Sequence, residues 1–182
     1  MVKIIMLLGV SKSGKDTTGE ELVKNNYIRI AAADKAKQEF CEINNIPLEY
    51  LMVQGPLKEK YRGALIEYAE DKRKIDKCYW INKAFEPYLD NESVLKPGRY
   101  VITDFRRIDE IDWFYSMKEK GVDVKIILIE RPGTIENDVL TLKTLARAAR
   151  EAIIYDKIVN DSSLEDLKIK INNQIIKIKD NE

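Results

Sequence analysis

Residues 9–18 read GVSKSGKDTT and follow directly on the apolar run VKIIMLL at 2–8. Gly9 and Gly14, then Lys15, fit the phosphate-cradling pattern G-x-x-x-x-G-K-[ST], except that Asp16 stands where the pattern has a hydroxyl. The context the pattern requires is present, a buried strand before it and a helix after it. Glycines let the backbone fold round phosphate oxygens, so that consecutive N–H groups and a helix N-terminus point at the anion. Ser11, Lys12 and Ser13 add donors within the loop, and Lys15 adds a point charge for a transferring phosphoryl group. Successive helical residues lie about 100° apart, so Asp16 and Thr17 cannot both face the phosphates. The expectation is that Thr17 supplies the magnesium-side hydroxyl. Asp16 then suits the helix dipole and reaches the metal through water. Thr18 completes the set of nucleotide-binding candidates. The bland alternative is a tight strand-to-helix turn with a surface lysine.

The rest of the 182-residue chain narrows the chemistry. It is 45% hydrophobic and 34% charged, which suits one globular domain spanning 1–182. Lys+Arg and Asp+Glu both number 31. That balance argues against a nucleic-acid or anionic-membrane partner, which usually brings a basic surplus. No apolar stretch approaches a membrane span, and the first eight residues are too short for a signal-peptide core. Cys41 and Cys78 form no C-x-x-C pair, so a reducing, cytoplasmic setting is expected. There is no histidine, which removes imidazole bases and His-ligated zinc. A metal here is expected to be held by oxygen.

Strand-like runs at 2–8, 27–32, 99–105, 123–130 and 155–161 alternate with helical stretches. The pattern predicts an α/β domain with a mainly parallel five-stranded sheet flanked by helices. Residues 34–95 read as mostly helical, broken near Pro47 and at 54–56. A capping box from Ser162 to Glu165 is expected to open a last helix with Leu164, Leu167, Ile171, Ile175 and Ile178 on one face. The terminal KDNE is expected to fray. In parallel sheets ligands gather at the carboxyl ends of strands, where 9–17, 104–107, 131–138 and 160–161 all fall.

With those residues in view, GVSKSGKDTT resembles the phosphate loop of phage-type deoxynucleoside monophosphate kinases, whose loop also ends Gly-Lys-Asp-Thr. YVITDFRRIDEID (100–112), ILIERPG (127–133) with Asn137-Asp138, and KIVNDSSLEDLKIKI (157–171) are similar to further stretches of that family, as are CYW (78–80) and Arg62. The chain departs in lacking a lid histidine and in a shorter acceptor insertion. The resemblance implies a P-loop NTPase fold with a helical acceptor-binding insertion (about 34–96) and a lid (about 131–154). It also implies ATP and Mg2+ as cofactors, a deoxynucleoside monophosphate as acceptor, and a place in deoxynucleotide biosynthesis. The partners are then small-molecule nucleotides, and a homodimer stays open.

Asp104 ends the third strand, where a carboxylate commonly holds magnesium; a strand-end cap is the alternative. By the resemblance Arg106 clamps the acceptor phosphate, with Arg62 a second candidate against a solvated helix face. Arg107, also a substrate-side candidate, fits a surface pair with Asp109 or Glu110. Arg131, Arg147 and Arg150 surround the lid as candidates to steady transition-state charge, with an exposed helix face the alternative for the latter two. Asp34 and Lys37 border the acceptor or cap a helix. Trp80 enters as a substrate contact through the resemblance alone, since Trp80, Phe85 and Tyr88 at near-helical spacing equally describe a core.

Three rivals remain. A phosphomevalonate kinase shares the Gly-Lys-Asp ending and accepts a small acid. A nucleotide-binding module or switch would want an N-K-x-D, which INKAF (81–85) does not supply. A catalytically dead scaffold is disfavoured by the presence of Lys15, Asp104 and Arg106.

Overall fold

The computed structural model describes residues 1–180; of the KDNE expected to fray, 179 and 180 continue the last helix, and 181 and 182 lie outside the described residues. The chain divides into two compact units, one of Met1–Ile30 with Lys96–Glu182 and one of Ala31–Leu95.

The first unit is built on strands β1 (Val2–Leu8), β2 (Ile28–Ile30), β3 (Gly98–Ile102), β4 (Asp123–Glu130) and β5 (Ile154–Val159). They form a five-stranded sheet in the order β2-β3-β1-β4-β5 with every pairing parallel. A parallel sheet covered on both faces needs apolar residues pointing both ways. β1 meets this: Ile4, Ile5, Met6, Leu7 and Leu8 are all buried. One face carries Ile5, Leu7, Val101, Ile127 and Ile129 against Leu22 of helix α1 (Lys15–Lys24) and against Leu167, Ile171, Ile175 and Ile178 of the last helix (Leu164–Asp180). Ile111, Trp113 and Phe114 of a helix at Asp109–Glu119 are buried in turn, and that helix packs on β4. β1 lies between β3 and β4, so the chain reverses direction across the sheet at its carboxyl end. That is the crevice where such sheets bind ligands.

Several boundaries differ from expectation: β3 ends at Ile102 and not at 105, so that Asp104 lies two residues past the strand, and β5 ends at Val159 and not at 161. β2 stops at Ile30 because the alanine-rich stretch from Ala32, a good helix former with Asp34 in its first turn, winds into helix α2 (Ala32–Asn44). The last helix starts at Leu164, one residue later than a Ser162 cap implies. Ser163 Oγ accepts the Asp166 N–H at 3.1 Å, and Leu164 is left exposed.

The second unit is helical: α2, α3 (Glu49–Met52), α4 (Pro56–Ile75), α5 (Tyr79–Phe85) and a 3₁₀ turn at Glu86–Tyr88. Pro56 sits in the first turn of α4, where its missing N–H costs nothing. Small residues Ala32, Ala36 and Ala69 pack round Trp80 to make its centre. The remaining helices, all in the first unit, are α6 (Asp109–Glu119), α7 (Val139–Arg150) and α8 (Leu164–Asp180). No helix among the described residues is long and apolar enough to cross a membrane.

Candidate functional site

The loop after β1 is held open by geometry that side chains would block. Gly9 has φ 153°, and a Cβ there would fall 2.3 Å from the Ile129 carbonyl oxygen. Gly14 has φ 111°, and a Cβ there would meet Asn160 Nδ2 at 2.8 Å. Both positions therefore require glycine. Asn160, at the end of β5, donates Nδ2–H to Ser13 O at 2.9 Å and so props the loop from behind. Gly14 precedes α1 without any side-chain cap hydrogen bond, and the first-turn N–H groups of a helix have no partner within it. The loop thus ends in an uncapped helix N-terminus, an arrangement that attracts anions.

Lys15 is only 5% exposed and folds back onto the loop, its Nζ donating to Gly9 O at 2.6 Å and Val10 O at 2.7 Å. Burial, followed by the nearby positive charge of Arg106, lowers its pKa to about 8, against the opposing pull of Asp16, Glu136 and Asp104. Lys15, Asp104, Arg106 and Asp16 thus share one electrostatic neighbourhood. Asp16 is exposed and Thr17 half-buried, while Lys15 and Thr18 face inward. The Thr18 hydroxyl donates to Gly14 O at 2.9 Å. It serves the helix start. Ser13 is fully buried and its Oγ has no hydrogen-bond partner. Ser11 and Lys12 are exposed.

Arg106 is exposed on a turn that the chain fixes from both sides. Glu110 Oε2 accepts the backbone N–H of both Arg106 and Arg107 at 2.9 Å. Thr144 of α7 donates its hydroxyl to Arg106 O at 2.8 Å. Arg107 is half-buried, and its backbone N–H donates to Glu110 Oε2. Arg131 is exposed and borders a cavity of about 290 Å³ beside the loop, together with Gly9, Val10, Glu130 and Pro132.

Of the two remaining lid candidates, Arg147 is tied to its own chain and Arg150 stands on an exposed helix face. Arg147 binds Asp112 at 2.7 Å, Glu151 at 2.9 Å and the Ile108 carbonyl at 3.1 Å. It clamps α7 to α6 and is not presented to a ligand. Arg150 is 75% exposed, 3.7 Å from Glu151.

In the helical unit Trp80 is 2% exposed, and its indole N–H donates to Ala69 O at 3.0 Å. Its ring meets Tyr79 edge-on at 4.8 Å and Tyr68 at 5.8 Å. Trp80 is core, and no face is left for a base to stack on. This corrects the substrate contact implied by resemblance. Asp34 and Lys37 pair with each other at 2.7 Å, both mostly buried. Arg62 lies 3.5 Å from Glu59 on an exposed helix face.

Sequence reasoning offered Glu110 only as a surface partner of Arg107, and gave no role to Thr144, Asn160 or Glu136. Of these only Asn160 carries a local signal, a polar residue directly after an apolar strand; the others are set by contacts distant in sequence or by turn geometry.

Among solved structures the fold is similar to that of a dephospho-CoA kinase from Campylobacter jejuni, with 17% identity, 100% of both chains covered and a TM-score of 0.55. A protein from Thermus thermophilus is similar at 16% identity, with 96% of this chain and 97% of that one covered and a TM-score of 0.52. Both likenesses speak for the fold, that of a P-loop kinase. A phosphomevalonate kinase from Drosophila melanogaster is 28% identical over 137 residues, 74% of this chain and 71% of that one. The family model for phosphomevalonate kinase matches residues 7–120. That span contains Lys15, Asp104 and Arg106. The specific family expected from the resemblance, deoxynucleoside monophosphate kinase, is therefore corrected. Matched from the end of β1 through α6, the chain belongs to the phosphomevalonate kinase family.

Proposed function

We propose that this chain transfers a phosphoryl group from ATP to phosphomevalonate, giving its diphosphate and ADP. The observation that carries the reading is the family match across the very residues that form the loop, the β3 end and the Arg106 turn.

The chemistry follows from the groups present. A phosphomonoester has a second pKa near ~6, so at neutral pH the acceptor is mostly a dianion and needs no general base. A chain without histidine meets that requirement. What remains is positioning and charge neutralisation. Lys15 is a buried cation whose charge is held at a cost, with its pKa down at about 8. An arriving phosphate offsets that cost by supplying the missing negative charge. Arg106, exposed on a doubly anchored turn, offers a guanidinium fork to the acceptor phosphate. Arg131, bordering the cavity beside Gly9, is the candidate for the donor side.

Magnesium fits the donor set. Asp104 and Asp16 both act on Lys15, and no group of three or more metal-binding side chains is found among the described residues. A magnesium ion held by one or two carboxylates and completed by phosphate oxygens and water matches that arrangement. Bound with the nucleotide, it would supply charge neutralisation on the phosphates.

The test is phosphorus NMR of the protein with magnesium, ATP and phosphomevalonate. The proposal expects ADP and a new diphosphate monoester in equal amounts. Release of inorganic phosphate alone would reduce the protein to an ATPase and defeat it.

A further inference from the structure

The phosphate loop already holds an anion of the chain's own. Glu136, in the stretch between β4 and α7, accepts the backbone N–H of Ser11 through Oε2 at 2.8 Å, across 125 residues of sequence. Its other oxygen, Oε1, accepts the N–H groups of Asn137 at 3.0 Å and Asp138 at 2.9 Å. The carboxylate is therefore fixed in orientation and does not swing freely. The N–H of Asp138, with those of Ser11 and Asn137, holds the carboxyl below the usual carboxylate range, and its charge reaches Lys15. A carboxylate oxygen on a loop amide takes the partner that a phosphate oxygen takes.

We propose that Glu136 is an internal occupant of the phosphate loop, which a nucleotide must displace before its phosphates can bind. The inference rests on the reading of this loop as the ATP site. Ser11 has one N–H, and a second anion brought to it meets the charge of the first. The structure also limits what moves. The turn at 131–134 is closed by Thr134, whose N–H and hydroxyl both donate to Arg131 O. Asp138 caps α7 by accepting the N–H groups of Leu140 and Thr141, and α7 is fastened by Thr144 and Arg147. Only the few residues between these anchors, Ile135 to Asn137, are free to swing the carboxylate away.

An internal competitor lowers apparent affinity by the fraction of molecules left competent. A contact made by 70–90% of molecules weakens nucleotide binding about 3- to 10-fold. The opposing role for such a carboxylate is to hold magnesium on the phosphates, and removing it would then weaken binding.

The experiment is calorimetric titration of the full chain with the analogue AMP-PNP, with and without magnesium, for wild type, Glu136→Ala, Glu136→Gln and a charge control, Glu119→Gln, at the exposed end of α6. Glu136→Ala is expected to bind about 3- to 10-fold tighter. Glu136→Gln is expected to shift the same way by less, because its amide oxygen still accepts the Ser11 N–H without the charge. Glu119→Gln should match wild type, and none of the variants should alter the magnesium dependence. Hydrogen exchange in wild type gives an independent readout: the amides of 135–138 should lose protection when AMP-PNP binds. Affinity that is equal or weaker in both Glu136 variants overturns the gate alone, as does a changed magnesium dependence. Wild type that binds no AMP-PNP overturns the gate and the kinase reading together.

Discussion

Around the phosphate loop of the sheet-bearing unit, three charged groups are held by main chain. Lys15 rests on the carbonyls of Gly9 and Val10, Glu110 grips the Arg106 and Arg107 amides, and Glu136 takes the Ser11 amide. In the helical unit they are held by one another. Asp34 pairs with Lys37, and Glu39 accepts the hydroxyls of Tyr68 and Tyr79 beside Lys72. Burial first, and then its bond to Glu39, push the Tyr68 phenol well above its ordinary range, so it stays a donor. Lys15 and the Arg106 turn, fastened through main chain, keep their position when a partner arrives, and of these groups only Glu136 has to be displaced. Charges paired side chain to side chain must break a pair to bind anything. The first arrangement suits a preorganised anion site, and the second holds a helical unit together.

The comparison breaks first if Trp80 is not structural. Trp80→Ala removes the centre of the helical unit and should cost about 3–5 kcal/mol of stability, as buried tryptophans do. Urea unfolding measures it. A loss under about 1 kcal/mol, with acceptor KM raised, would return Trp80 to the substrate.

Lys15→Met attacks the sheet unit. It should lower kcat about 100- to 1,000-fold, the cost of removing a preorganised charge from a transferring group, with circular dichroism and melting close to wild type. Near-normal kcat in a folded variant would remove the loop from the chemistry.

Arg106→Ala separates acceptor from donor. Loss of a charge-assisted contact worth about 1.5–3 kcal/mol should lower kcat/KM for phosphomevalonate about 10- to 150-fold, with affinity for the ATP analogue unchanged. Equal losses for both substrates would place Arg106 on the donor. Arg147→Ala should instead loosen α7 on α6 and lower stability with no selective effect on the acceptor.

The smallest effect is in pH. Lys15 in the free protein loses its proton around pH 8, so kcat/KM for ATP should fall about tenfold between pH 7 and 9. The sign for stability is opposite. The folded pKa lies below the unfolded value of 10.5, so the unfolded chain binds more protons between about 8 and 10.5, and this group's penalty is relieved as pH rises through that window. A flat ATP profile to pH 10 would mean that Lys15 stays charged in the open loop.

Legibility in the sequence followed the same division. The loop could be read because Gly9 and Gly14 are dictated by backbone geometry and Lys15 follows at fixed spacing, all within one turn of chain. The sheet could be read because its central strand is an apolar run and the others are short, mainly apolar segments bounded by turns. β2 was overextended because the two alanines after Ile30 continue an apolar run, while alanine's helix propensity turns the chain into α2 at Ala32. Trp80 and Arg147 were misplaced for a common reason. Aromatic or basic residues at helical spacing define a face, and only packing decides whether that face meets alanines, as Trp80 does, or Asp112, as Arg147 does. Glu136 was invisible because its partner lies 125 residues away. The acceptor was misassigned because the Gly-Lys-Asp ending describes how phosphate is handled and says nothing of what carries it.

Acceptor identity is therefore the central claim, and a coupled ADP-release assay tests it directly, with phosphomevalonate set against dTMP, dGMP, dCMP and dAMP under one magnesium and ATP concentration. Phosphomevalonate should give the highest kcat/KM by at least about 100-fold, the discrimination expected when a site's polar groups are left unpaired by the wrong substrate. A deoxynucleoside monophosphate turned over as well as phosphomevalonate, or better, would contradict the account.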